Sequence, residues 1–139
     1  MTSETDTPGL VAFESALTRL TLALAQPKTE WVRAAAIQRF EFTLELAWKA
    51  VARQALRQGI ESVSPRQTFR VAFRLGWISD DKIWLDMVED RNVTSHTYNE
   101  LKADELFSRL PAYQKALAQL LTRLKQMPDP FGDIPDESP

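Results

Sequence analysis

Apolar residues recur along most of this chain at intervals of three and four residues, which is the period of an amphipathic α-helix. The first such segment covers residues 10–25, and its apolar positions are Leu10, Phe13, Leu17, Leu20 and Leu24. The last covers residues 103–125, with apolar positions Leu106, Leu110, Tyr113, Leu117, Leu120 and Leu124. No segment shows a convincing alternation of apolar and polar residues, which a half-buried strand requires. The pattern therefore predicts an all-α protein.

Residues that start and stop helices divide the middle of the chain into three more helices. Thr29 is a predicted N-cap for a long helix, which Gly59 stops. The run Ser64-Pro65-Arg66-Gln67 has the composition of a capping box and predicts a short helix that ends at residue 75. The run Ser79-Asp80-Asp81 begins a fourth helix. The predicted fold is an antiparallel bundle of about five helices joined by short loops.

Several aromatic residues and one proline make this fold prediction more specific. Phe42 widens the apolar stripe of the long helix, and Phe73 is expected to face inward from the short one. Pro111 lies inside the last apolar pattern and is expected to kink that helix or to split off its first turns. The four tryptophans are expected in the core or in a dimer interface: Trp31, Trp48, Trp77 and Trp84.

Composition excludes several kinds of site. The 139 residues are expected to form one domain, and they include no cysteine and one histidine. Disulfides, thiolate metal sites and metal sites built from several histidines are therefore excluded. A carboxylate-held Mg²⁺ remains possible, although no acidic cluster with tight ligand spacing stands out. We therefore predict neither a metal site nor a cofactor.

The net charge of −2 argues against a strongly basic nucleic-acid binder but leaves room for a local basic patch. Arg66, Arg70 and Arg74 repeat every four residues and form such a stripe. It is either a solvated helix face or a weak contact for RNA or for a partner protein.

The ends of the sequence differ from its middle. Residues 1–9 are expected to be flexible and are too polar for a signal peptide, and residues 10–127 form the helical domain. Residues 128–139 are rich in proline and acidic residues and are expected to be a disordered tail. No apolar run approaches the roughly 20 residues that span a bilayer, so we expect a cytoplasmic protein without a membrane partner.

The segment 90–98 concentrates polar side chains that a core or a linker would not need. It contains Arg91, Asn92, Tyr98 and the single histidine, His96. Because an α-helix turns about 100° per residue, Arg91 and His96 reach one group only if the helix breaks between them. Weak helix formers at positions 92, 94 and 95 allow such a break. A second capping box at residues 97–100 then starts the last helix, with His96 at the junction.

A purely structural explanation of this segment remains open. A lone histidine at a helix junction often serves only as a hydrogen-bonded structural residue. Arg91 also has three candidate partners for an ion pair that ties the fourth helix to the bundle: Glu41, Glu45 and Asp90. The structural and functional explanations are compatible, since a carboxylate that orients Arg91 supports the fold and catalysis together.

The spacing Arg-x4-His-x-Tyr at residues 91–98 resembles the motif of HEPN-domain proteins. The match is closest to their HepT-like toxin and nucleotidyltransferase substrate-binding branch. The segment Arg39-Phe40-Glu41-Phe42-Thr43-Leu44-Glu45-Leu46-Ala47-Trp48-Lys49 on the long helix supports that branch, and the resemblance covers roughly residues 10–125. It implies a homodimer with the two motifs in one cleft, and a minimal nucleotidyltransferase as partner. It also implies a metal-independent ribonuclease.

The resemblance assigns a role to each motif residue. Arg91 and His96 are the catalytic pair, Asn92 is the polar residue that often follows the arginine, and Tyr98 accepts AMP from the partner, which silences the toxin. Apart from the resemblance, Glu45 is a supporting residue as a carboxylate that can orient Arg91. The residue types agree, since histidine exchanges protons near neutral pH and arginine binds phosphate through a two-pronged fork.

Three functions therefore compete. The first is a ribonuclease toxin paired with a nucleotidyltransferase. The second is a non-catalytic subunit that binds a nucleotide substrate for that enzyme. Arg91 would then bind the phosphate, and Tyr98 would lie in the ligand site. The third, a structural dimer without a ligand, is disfavoured because Arg91, Asn92, His96 and Tyr98 are all present.

Overall fold

The computed structural model describes residues 8–96 and 99–127, and its regular elements are α-helices. They are α1 (Pro8–Leu24), α2 (Glu30–Arg57), α3 (Pro65–Arg74), α4 (Asp81–His96) and α5 (Glu100–Lys125). The predicted all-α bundle of five helices is confirmed for this part of the chain. None of the described helices is both long and apolar enough to cross a membrane. The predicted tail at 128–139 and residues 1–7 of the predicted flexible N-terminus lie outside the described residues.

The predicted helix boundaries are confirmed at α2 and α3. The Val32 N–H donates to Thr29 Oγ1 at 3.0 Å, and the Gln67 N–H donates to Ser64 Oγ at 3.2 Å. Each bond satisfies a backbone donor that has no acceptor inside its own helix. Gly59 follows α2 with a φ of 81°, a left-handed conformation that glycine adopts without a steric penalty.

The junction between α4 and α5 differs from the prediction. Helix α4 does not end near residue 92 but continues through His96. Helix α5 begins at Glu100, where the Lys102 N–H donates to the Asn99 side chain at 3.0 Å, so the N-cap is Asn99 and not Thr97. The predicted break rested on the low helix propensities of a few residues. Such propensities differ by under about 1 kcal/mol per residue, and tertiary contacts commonly outweigh them. Pro111 lies within α5 and does not split it.

Helices α1, α2 and α5 pack together at the centre; α3 packs on α2 and α4, and α4 also packs on α5 and α2. Glu14 and Thr21 on α1 bond Lys125 and Gln114 on α5, so these two helices run in opposite directions. Helices α2 and α5 run in the same direction. Arg33 meets Asp104 near their N-termini, and Phe40 stacks on Tyr113 farther along, with ring centroids 5.4 Å apart.

Three of the aromatic residues assigned above are much more exposed than a core position allows. Phe42 is 55% exposed, Phe73 is 42% exposed and Trp31 is 86% exposed. The prediction that Phe73 faces inward was therefore wrong, and Phe42 widens the apolar stripe of α2 without being buried. Neighbouring helices cover only part of each wide apolar stripe. On α3, for example, the buried positions are Thr68, Phe69, Val71 and Ala72. Trp77 and Trp84 are buried as expected.

We expect Phe40→Ala to lower the free energy of unfolding by about 3–5 kcal/mol, because it leaves a cavity beside Tyr113. Phe40 is fully buried, whereas Phe73 is partly exposed. Phe73→Ala, which removes the same atoms, is expected to cost less than about 1 kcal/mol. Urea unfolding of both variants at one protein concentration measures the difference. Equal losses would contradict the packing described here.

Candidate functional site

Glu45 on α2 is the centre of a cluster of donors that includes Arg91. Arg91 Nη2 lies 2.9 Å from Glu45 Oε1, and Trp48 Nε1 donates to the same oxygen at 3.3 Å. Lys49 Nζ lies 3.1 Å from the other oxygen, Oε2. Of the three carboxylates considered for Arg91, Glu45 therefore forms a direct ion pair with it. Trp48 and Lys49 were not predicted as site residues, although their three- and four-residue spacing from Glu45 indicates contact on a helix.

The Glu45 carboxyl group is ionised at neutral pH. Partial burial raises its pKa, but hydrogen bonds from Lys49 and Trp48, together with the positive charges of Arg91 and Lys49, lower it by more. The net pKa lies below the ordinary value of 4.5. The carboxylate is therefore a charged acceptor at neutral pH, and its Oε1 atom pairs with the Arg91 guanidinium.

Asp90, the residue before Arg91, is bound by helix α5. Arg109 Nε and Nη2 donate to Asp90 Oδ2 and Oδ1 at 2.9 and 3.0 Å, which is the two-pronged geometry of a strong arginine–carboxylate pair. The Tyr113 hydroxyl donates to Asp90 Oδ2 at 2.6 Å. Burial, with the adjacent carboxylate, raises the pKa of Tyr113, so its hydroxyl stays protonated. The sequence pattern assigned Tyr113 to the core and did not reveal this second role.

The two consecutive residues therefore reach two different helices. Side chains one residue apart on a helix point about 100° from each other, so Asp90 faces α5 while Arg91 faces α2. This pair of contacts, together with the buried Trp84, Met87 and Val88, holds α4 against α2 and α5.

Arg91 lies at a surface cleft of about 570 Å³. Residues of α2 line the rest of the cleft: Gln38, Arg39, Glu41, Phe42 and Glu45. The cleft thus combines two guanidinium groups and an exposed aromatic ring with two carboxylates. Its volume lies within the range of about 300–1,000 Å³ that small-ligand sites occupy.

The structure describes the other predicted site residues of the motif less completely than Arg91. Asn92 is exposed and follows Arg91 on α4. For His96 the structure describes the backbone, which ends α4, and Tyr98 lies outside the described residues. Because the helix is continuous, positions 91 and 96 lie about 140° apart around its axis and about 7.5 Å apart along it. The expected break that would bring them onto one side of the helix is absent.

The basic stripe on α3 is separate from this cleft. Arg66 Nη2 lies 3.6 Å from Glu89 Oε1 on α4, and Arg70 and Arg74 are exposed. None of the three lines the cleft at Arg91.

The start of α5, which follows Tyr98, is also anchored. Arg33 on α2 is buried, and its Nη1 donates to Asp104 Oδ1 at 3.0 Å, while Nη2 lies 3.9 Å from Glu100. Lys28 Nζ lies 2.9 Å from the same Asp104 oxygen. The sequence analysis did not predict a role for Arg33. This residue faces inward on α2, and the prediction of that helix rested mainly on its apolar residues. Together with Asp90 and Arg91, Arg33 fixes the helices on both sides of the motif.

Among the side chains described at residues 9–92 and 99–127, no group of three or more aspartate or glutamate side chains is placed to hold a metal ion.

Residues 9–126 match the family described as nucleotidyltransferase substrate binding protein like. A curated relative from Haemophilus influenzae, named probable ribonuclease HepT, is 34% identical over an alignment of 98 residues, and the match covers 67% of this chain and 67% of the relative.

Two solved structures share the fold. A crystal structure of a protein from Thermus thermophilus superposes with a TM-score of 0.76 at 39% identity, covering 82% of this chain and 99% of that one. A Haemophilus influenzae protein, whose structure is described as the fold of a substrate binding domain of a nucleotidyltransferase, superposes with a TM-score of 0.74 at 30% identity. That match covers 84% of this chain and 99% of the other.

We expect Glu45→Gln to lower the free energy of unfolding by about 1 kcal/mol at neutral pH, because it removes the charge that binds Arg91 and Lys49. The pKa of Glu45 is lowered in the folded protein, so this stabilisation is present above the unfolded value of 4.5. It is lost as the pH falls through the folded pKa. Urea unfolding of both proteins between pH 3.5 and 7 is therefore expected to show a difference that shrinks below about pH 4.5. A difference that stays constant over this range would contradict the ionised Glu45 cluster.

Proposed function

Because the chain belongs to the nucleotidyltransferase substrate binding protein like family, we propose that it is the HepT-like component of a toxin–antitoxin pair with a minimal nucleotidyltransferase. In this proposal the protein is a metal-independent endoribonuclease. The observation that carries it is the ion pair between Arg91 and Glu45 at the cleft, which holds a guanidinium ready for phosphate. The similarity to a relative named probable ribonuclease HepT adds support.

The proposed reaction needs only side chains of this protein. The His96 imidazole removes the proton of an RNA 2′-hydroxyl, and the 2′-oxygen attacks the adjacent phosphorus. Arg91 donates hydrogen bonds to the phosphoryl oxygens and stabilises the negative charge that develops on them. The bond to the 5′-oxygen breaks, and that oxygen takes a proton. The products are a 2′,3′-cyclic phosphate and a 5′-hydroxyl group.

A homodimer completes this mechanism. Each chain has one histidine, and a continuous α4 separates positions 91 and 96 around the helix. Two protomers whose α4 helices meet across one cleft supply two imidazoles, one as base and one as acid. They also allow Arg91 of one protomer to act beside His96 of the partner subunit.

Regulation by the nucleotidyltransferase acts at Tyr98. The phenolic oxygen attacks the α-phosphorus of ATP, AMP is transferred to the tyrosine, and pyrophosphate leaves. Position 98 is two residues beyond His96, so the attached phosphodiester brings negative charge and bulk to the motif. It then competes with RNA phosphate for Arg91.

A second function uses the same cleft without catalysis. The chain then binds a nucleotide and presents it to the nucleotidyltransferase, with Arg91 on the phosphate. The description of the Haemophilus influenzae structure as a substrate binding domain favours this candidate. Arg91 and its partner Glu45 suit both functions, whereas a proton-transfer role for His96 belongs to the nuclease alone.

We expect the purified protein, free of AMP, to cleave single-stranded RNA in EDTA and to leave 2′,3′-cyclic phosphate ends. His96→Ala and Arg91→Ala are expected to lower the rate at least 100-fold, as loss of a proton-transfer group or of a charge-stabilising donor does. Arg123→Ala, which removes an exposed arginine of α5, is the matched control and is expected to cleave normally.

In the same assay, Glu45→Gln tests whether the orientation of Arg91 matters, because it leaves Arg91 and His96 in place. It is expected to lower kcat by about tenfold, because an arginine that is no longer held in one orientation stabilises the transition state less well. No cleavage by folded, dimeric, unmodified protein would overturn the nuclease proposal and favour the nucleotide-binding subunit.

In cells, we expect expression of this chain alone to arrest growth, and co-expression with its nucleotidyltransferase to restore it. Tyr98→Phe lacks the oxygen that accepts AMP, so this variant is expected to arrest growth with or without the partner. His96→Ala is expected to be harmless in both settings. Growth restored equally for Tyr98→Phe and wild type would show that the partner silences the toxin by another route.

A further inference from the structure

We propose that Phe42 is a stacking platform for one base of an RNA whose phosphate is bound at Arg91. The substrate class is accordingly single-stranded RNA with an unstacked base. This inference rests on the proposed function, in which the cleft at Arg91 receives RNA.

Phe42 has the placement that stacking requires. Its side chain is 55% exposed and lines the cleft together with Arg91 and Glu45. Phe42 precedes Glu45 by three residues, so the two lie on neighbouring turns of one helix face, about 4.5 Å apart along the axis. The Glu45 carboxylate holds Arg91 at 2.9 Å. The ring and the guanidinium therefore line one cleft, as a base and a phosphate of one RNA strand require.

The other cleft residues suit a nucleotide better than an apolar partner. Arg39, three residues before Phe42, brings a second guanidinium to the cleft. Gln38, four residues before Phe42, carries both a hydrogen-bond donor and an acceptor, which is what the edge of a stacked base requires. An exposed aromatic residue alone is ordinary on a protein surface. An aromatic face set among cations and an amide is the combination that binds single-stranded RNA.

The charges that line the cleft bear on how it could bind RNA with useful affinity. Glu41 and Glu45 bring two negative charges to the same cleft as Arg39 and Arg91, so the lining residues carry no net charge. Attraction for the RNA backbone is therefore modest, and a base on Phe42 supplies affinity that charge does not. A base inside a duplex is already stacked on its neighbours and cannot lie on the ring, which restricts the substrate to single strands or loops.

The test uses the full-length chain carrying His96→Ala, so that bound RNA stays intact. Fluorescence anisotropy in EDTA measures the affinity of a labelled single-stranded hexaribonucleotide and of an abasic hexamer with the same phosphates. Phe42→Leu keeps an apolar side chain without a π face, and Phe42→Trp restores the π face. Phe73→Leu is the matched control, since Phe73 is also a partly exposed phenylalanine but lies on α3.

We expect Phe42→Leu to weaken binding of the hexaribonucleotide by about 5- to 100-fold, the usual effect of losing one aromatic stacking partner. Its binding of the abasic hexamer is expected to stay unchanged. Phe42→Trp is expected to retain the preference for bases, and Phe73→Leu is expected to bind both oligomers as the starting protein does.

If Phe42→Leu weakens binding of both oligomers equally and sedimentation velocity shows loss of the dimer, Phe42 is a subunit contact and the proposal fails. An unchanged preference for bases in Phe42→Leu also overturns it. If the protein with Phe42 intact binds neither oligomer, the proposed function itself fails.

Discussion

The position of the candidate site depends on two neighbouring residues of opposite charge that bind different helices. Asp90 accepts hydrogen bonds from Arg109 and Tyr113 of α5, while Arg91 pairs with Glu45 of α2. Since α2 and α5 already pack together through Phe40 and Tyr113, α4 is held against a fixed pair of helices. Sliding or rotating α4 breaks one contact or the other. The same contacts that place α4 therefore also aim Arg91 at the cleft.

These contacts contribute more to geometry than to stability. Partly exposed ion pairs contribute about 0–1 kcal/mol each, and the core supplies most of the free energy of folding. Their value for the proposed chemistry is preorganisation, because an arginine that is already oriented loses little freedom when it binds phosphate. The ionised Glu45 carboxylate also compensates much of the charge of Arg91. In the stacking proposal, selectivity at this cleft depends on groups that recognise the nucleobase, such as Phe42, rather than on charge alone.

Much of the fold could be predicted from short-range patterns, whereas the site depends on contacts between distant residues. The caps at Thr29 and Ser64 and the stop at Gly59 were predictable because they are local chemistry. The continuation of α4 through His96 was not, because propensity differences of under about 1 kcal/mol per residue do not decide where a helix ends. The arginine–carboxylate pair with Glu45 was among the expected possibilities. The bond between Tyr113 and Asp90 crosses 23 residues, and an apolar stripe carries no information about a hydroxyl at its edge.

In the proposed function, Glu45 holds Arg91 ready to bind an RNA phosphate at this cleft. The most direct measurement is a crystal structure of the full-length chain with a single-stranded oligoribonucleotide whose 2′-hydroxyls are methylated, which prevents cleavage. We expect a phosphate oxygen within hydrogen-bond distance of the Arg91 guanidinium, with the Glu45 contact retained. A structure in which the oligonucleotide binds elsewhere and leaves the Arg91 guanidinium without a phosphate contact would contradict this expectation.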